Sequence, residues 1–168
     1  METFEESIEI HAPADSCYWC WHDFPFFAKL MHNIKSVYRV RDNVWEWTLV
    51  GPQGDESVWE FMLVRDVPDQ QICWKSIRGP EMDMTAEIDF MPVHADLTRV
   101  AIKIRLDSPE NPIGHLLKGL YGISEREIQQ ILETFRDTME SILEECQSSS
   151  VYRGSPANLR DSQESLRG

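Results

Sequence analysis

The chain is 168 residues long, 42% hydrophobic and 10% aromatic, which is enough for one domain with a real core and a tail. Its 29 acids and 16 bases leave a formal net charge of −13, and no basic run supplies the footprint that a nucleic acid needs. The apolar runs fall short of the ~18 residues of a membrane span. The opening Met-Glu-Thr-Phe-Glu-Glu is acidic where a secretory leader is basic. Together these features predict a soluble, cytoplasmic protein.

Residues 4–12 read as a short strand with Ile8 and Ile10 on one face. Pro13 suits the first turn of a helix, which predicts one helix over Asp15–His22 and a second over Phe24–Leu30, broken at Asp23 and Pro25. Strands follow at Lys35–Arg41, Val44–Val50, Val58–Asp66, Gln71–Ile77, Met82–Met91 and Leu97–Leu106. Turn formers separate them, among them Arg41-Asp42-Asn43 and Pro68-Asp69, and such short connections imply antiparallel neighbours.

In the last two strands Met84, Ala86, Ile88 and Phe90 alternate with Asp83, Thr85, Glu87 and Asp89. Thr98, Val100, Ile102, Ile104 and Leu106 alternate with Arg99, Ala101, Lys103 and Arg105. Each strand therefore has one wet face, acidic on the first and basic on the second. Pairing about a turn near Ala95 predicts Ile88 facing Ile102 inside and Glu87 near Lys103 outside, because a one-residue slip would turn the apolar set outward. Beyond them Ser124-Glu125-Arg126-Glu127 is a capping box. Ile128, Ile131, Leu132, Phe135, Met139, Ile142 and Leu143 then recur at helical spacing over Glu125–Cys146. A helix of that length with one apolar face needs a long apolar partner, and the inner face of the sheet supplies it. Residues 147–168 are rich in Ser, Arg, Asn and Gln and read as a flexible polar tail, which could serve as a docking segment for a protein partner.

The order strand, two short helices, strand meander and long C-terminal helix resembles the helix-grip fold of the START-like (SRPBCC) superfamily. Within it the chain resembles the polyketide cyclase/dehydrase and coenzyme-Q-binding group. The matching residues include Ile8-Glu9-Ile10-His11-Ala12-Pro13-Ala14, Tyr18 and Trp21, Asp23 with Pro25, Ser36-Val37, Trp47, Trp59 with Phe61, Ile72-Cys73-Trp74-Lys75-Ser76, Thr98-Arg99-Val100 and the Gly-rich segment Pro112–Gly122. The resemblance implies an α+β fold, with a curved antiparallel sheet wrapped on the C-terminal helix, over residues 1–146. It also implies a mostly apolar cavity between sheet and helix. It carries over no catalytic residue, because the group shares none.

The residues themselves offer such a cavity an aromatic and Met-rich lining. Trp45, Trp47, Trp59, Phe61, Trp74, Met84, Ile88 and Phe90 face inward from the strands, and Phe135 and Met139 face them from the helix. Leu117 and Tyr121 would cover it from Pro112–Gly122, a segment with the glycines and the apolar face of a gate. Trp and Tyr also carry a polar tip able to orient a carbonyl or hydroxyl. The same side chains would equally serve as plain core.

Other chemistry is not signalled. The five His lack metal-site spacing, and no nucleophile elbow, Walker loop or dinucleotide fingerprint occurs, so neither metal nor cofactor is expected. Cys17-Tyr18-Trp19-Cys20 is a C-x-x-C, but on an apolar helix after Pro13 its thiols are expected to pack without a disulfide. Three readings follow: a non-enzymatic binder or carrier of a quinone, isoprenoid, lipid or polyketide-like molecule, with transient membrane contact open to it; a polyketide cyclase or dehydratase; and a protein–protein assembly or regulatory module. A wholly apolar cavity would favour the first, a buried His, Arg or Asp pointing into it the second, and a filled core with an exposed apolar patch the third.

Overall fold

The computed structural model describes residues 2–29, 31, 33–79, 83–107 and 124–153. Strand β1 (Glu2–Ile10) leads into helices α1 (Ala14–His22) and α2 (Phe24–Lys29). Six strands then run without interruption by a helix: β2 (Ile34–Arg41), β3 (Val44–Val50), β4 (Glu56–Val67), β5 (Gln71–Arg78), β6 (Asp83–His94) and β7 (Leu97–Asp107). A long helix, α3 (Glu125–Arg153), follows. The strands form one seven-stranded sheet in the order β1-β7-β6-β5-β4-β3-β2, antiparallel at every joint. This is a START-like helix-grip fold: the curved sheet closes over α3, and β1 returns from the start of the chain to pair with β7. Gate residues Leu117 and Tyr121, with the rest of Pro112–Gly122, lie outside the described residues, as do Leu30 and Met82.

The β6–β7 hairpin has the expected register, with Ile88 opposite Ile102 and Glu87 opposite Lys103. Ile88 and Ile102 are both buried. The outer ion pairs are set by a third strand. Glu87 meets Arg105 at 3.3 Å, while Lys103 turns to Glu5 of β1 at 3.5 Å. Register shifts interrupt β2–β3, β4–β5 and the Pro92/His94 end of the hairpin, and such bulges bend and twist a sheet.

Pro13 is the N-cap of α1, one position before the helix proper, with φ −63° and ψ 152°. The buried Thr98 hydroxyl donates to the Ala12 carbonyl at 2.8 Å and fixes the entry of α1 to β7. On α3 the backbone N–H of Glu127 donates to Ser124 Oγ at 3.2 Å, so the predicted cap forms. Ile128, Leu132, Phe135 and Met139 are buried against the sheet, whereas Ile142 is exposed. The helix continues past Cys146 to Arg153, so the first residues of the expected tail are helical.

Candidate functional site

Between the sheet, α1 and the first turns of α3 lies a cavity of about 130 Å³. Trp47 and Leu49 of β3, Phe61 of β4, Trp74 of β5, Met84, Ala86 and Ile88 of β6, and Ile102 and Ile104 of β7 line the sheet side. Trp21, Met31 and Ile34 close one flank, and Ile128 and Ile131 of α3 form the other. Asn33 and Glu127 are the two polar residues of the lining. An engineered apolar cavity of ~150 Å³ in another protein holds benzene, so this one is close to the size of a single ring. A polar hollow of about 230 Å³ shares Met31, Asn33, Glu127 and Ile131 with it. That hollow reaches solvent past exposed Gln130, Glu133 and Asp137.

Of the residues expected to line a site, Trp47, Phe61, Trp74, Met84 and Ile88 do so. Trp45, Trp59, Phe135 and Met139 are not in the lining, for separate reasons. Trp45 stacks edge-on against Phe24 and Trp74 with centroids at 5.4 and 5.1 Å, and the Arg39 guanidinium sits over its ring. Trp59 stacks on Phe61 and is closed off by the backbone of Gly79, where an added Cβ would lie 2.5 Å from the indole Cε3. Phe135 meets Trp21 edge-to-face at 4.8 Å, and Met139 lies a turn further along α3 in the core. The lining residues Leu49, Ile102 and Ile104 carried a readable signal: each sits two positions from an expected inner-face residue on its own strand. Trp21, Met31 and Asn33 carried none, because only the tertiary path of α1 and α2 brings them there.

Three buried side-chain N or O atoms have no hydrogen-bond partner among the described residues: Glu2 Oε2, Trp47 Nε1 and Trp74 Nε1. Glu2 opens the edge strand β1 and is not part of the cavity lining, but both indoles are. An unpaired buried donor costs about 1–3 kcal/mol. Trp59, outside the lining, donates to Ser57 Oγ at 3.0 Å.

The thiols sit apart from this chemistry. All four Cys are free. Burial, with neighbouring Cys20 adding to it, pushes the Cys17 thiol up to about 12, and burial pushes Cys20 up to about 11. A redox pair needs the opposite shift. On the other side of α1, Tyr18 donates to Asp66, and His22 Nε2 lies 2.9 Å from the same carboxylate. Burial and that carboxylate hold the Tyr18 hydroxyl above its usual range. This trio ties α1 to β4, and none of its members lines the cavity. Among the described residues no group of His, Cys, Asp and Glu could hold a metal ion, and no helix is long and apolar enough to cross a membrane.

No family model matches the chain. A protein of Streptomyces lincolnensis, known as an uncharacterized 17.2 kDa protein of the melC2–rnhH intergenic region, is 24% identical over 156 residues, 92% of this chain and 98% of that one. Among solved structures, a START superfamily protein from Mycobacterium smegmatis superposes with a TM-score of 0.71 at 13% identity, over 83% of this chain and 98% of that chain. The Zhui aromatase/cyclase from Streptomyces sp. R1128 gives 0.66 at 16% identity, over 83% and 93%. A Deinococcus radiodurans protein gives 0.65 at 24% identity, over 83% and 98%. At these identities the likeness establishes the fold.

Proposed function

We propose that the chain binds or carries a hydrophobic small molecule in the cavity between sheet and helix. The observation that supports this most is the character of the lining: apart from Asn33 and Glu127, every lining residue is apolar. Among the described residues no Arg, Lys, His or Asp lines it. Burial in such a site is worth ~25 cal/mol per Å² of apolar surface. The cavity alone is close to the size of one ring, so a longer quinone, isoprenoid or polyketide-like molecule extends through the polar hollow. A cytoplasmic setting fits the four free thiols and belongs to the same proposal. Native mass spectrometry of the protein purified from its own host tests the reading. A retained small molecule, lost when Ala86→Phe fills the space, is the expected result.

A second reading, cyclisation or dehydration of a polyketide-like substrate, is favoured by Glu127 and Asn33 at the mouth. There one carboxylate could move a proton for a substrate that the walls position. It also draws on the shape shared with the aromatase/cyclase. Glu127→Gln abolishes turnover under this reading and leaves binding intact under the first.

A further inference from the structure

We infer that the ligand presents a neutral hydrogen-bond acceptor oxygen, of the ketone or quinone carbonyl kind, to the indole N–H groups of Trp47 and Trp74. The inference rests on the ligand-binding reading above and adds the chemistry that the site selects.

Three indoles line the cavity, those of Trp21, Trp47 and Trp74, and the N–H groups of Trp47 and Trp74 are buried without an acceptor among the described residues. Trp59, stacked just outside the lining, has its own acceptor in Ser57. An indole N–H only donates, so its complement is an acceptor, and a plain hydrocarbon or a group that merely donates leaves it unpaired. A carboxylate would also accept, but among the described residues the lining holds no cation to accompany it. Glu127, Glu133 and Asp137 in the outer hollow oppose an anion on its way in. A neutral oxygen on a ring meets every one of these conditions.

Both indole nitrogens are sealed from water. Trp74 is wedged edge-to-face against Phe24 at 4.2 Å, Trp45 at 5.1 Å and Trp47 at 6.3 Å. Donation to the oxygen requires these rings to turn on binding, and the indole resonances report that turn.

The test uses the full chain with 15N-labelled tryptophan and two probes of similar size, acetophenone and cumene, the second carrying a methyl group and a hydrogen where the first carries its carbonyl oxygen. Benzoate serves as the anionic arm. Both neutral probes bind, and cumene buries more apolar surface. The ketone's advantage from one net hydrogen bond, about tenfold, is therefore read as the change in the ratio of the two affinities between wild type and the variants Trp47→Phe and Trp74→Phe. Acetophenone shifts the Trp47 and Trp74 indole N–H resonances, and benzoate binds more weakly than acetophenone. Trp74→Phe, and the milder Trp47→Phe at a half-buried position, reduce the ketone's advantage and leave cumene within about twofold. A ratio of the two affinities unchanged in both variants, or a bound ketone that leaves both indole resonances unmoved, overturns the acceptor inference and leaves the cavity reading standing. Failure of both neutral probes to bind sinks the two together.

Discussion

Towards β1 and the middle of α3 the inner face is shut, with Phe4, Val100, Leu106, Leu132 and Phe135 buried and none of them in the cavity lining. Where β2 and β3 face α2, Ile34, Trp45, Trp47 and Leu49 are only partly covered. Branched aliphatic side chains interdigitate to crystal-like density. The flat indole of Trp74 meets Trp45 and Phe24 edge-to-face, and the cavity lies along Trp74 and Trp47. One part of the sheet is thus a platform for the helix, and the part from Trp47 of β3 to Ile104 of β7 frames the cavity.

The sharpest way to break this contrast is to truncate one residue on each side. Leu132→Ala, at a fully buried position, should cost about 2–5 kcal/mol in urea unfolding, and Trp47→Ala less than half of that despite removing more atoms. Equal costs would mean that the aromatic half is as tightly packed as the other. Next in size is Gly79→Ala, whose new methyl carbon would sit 2.5 Å from the Trp59 ring. It should lower stability by about 1–3 kcal/mol by overpacking, checked by thermal unfolding.

A smaller effect is read from pH. The unfolded chain ionises its thiols near the ordinary value of 9.0, while the folded chain holds the protons of Cys20 and Cys17 to about 11 and 12. Above pH 9 the unfolded state therefore binds fewer protons, and stability falls as pH rises towards 12. The contribution is complete below pH 9. Cys17→Ala should flatten that limb of the stability curve. Smallest of all is Glu87→Ala. Its pair with Arg105 is partly exposed, so the change should stay within ~0.5 kcal/mol and leave probe binding untouched.

The platform was the more legible half. Strict alternation in β6 and β7 and helical spacing in α3 each admit one buried face, so register and packing follow from the order of residues. The partner of Glu87 did not follow, because Lys103 has a competitor in Glu5 on a strand a hundred residues away in the chain. In the aromatic half, alternation puts Trp59 and Phe61 on one face, yet only Phe61 meets the cavity. The register shift between Glu60 and Phe61 and the approach of Gly79 to Trp59 decide this, and neither has a period-two signature. Phe135 and Met139 share the stripe of Ile128, but the cavity ends within the first turns of α3, and helical spacing says nothing of where along its length a gap falls.

The central claim is that the space framed by Trp47, Trp74, Ala86 and Ile104 is a binding cavity. Titration with the neutral fluorophore N-phenyl-1-naphthylamine, for wild type and for Ala86→Phe, tests it most directly. Ala86 lines the space from β6, so a phenyl group there occupies the ligand's place. The account predicts binding to the wild type that weakens at least about tenfold in the variant, with the circular dichroism spectrum unchanged. Equal binding to both proteins would contradict it.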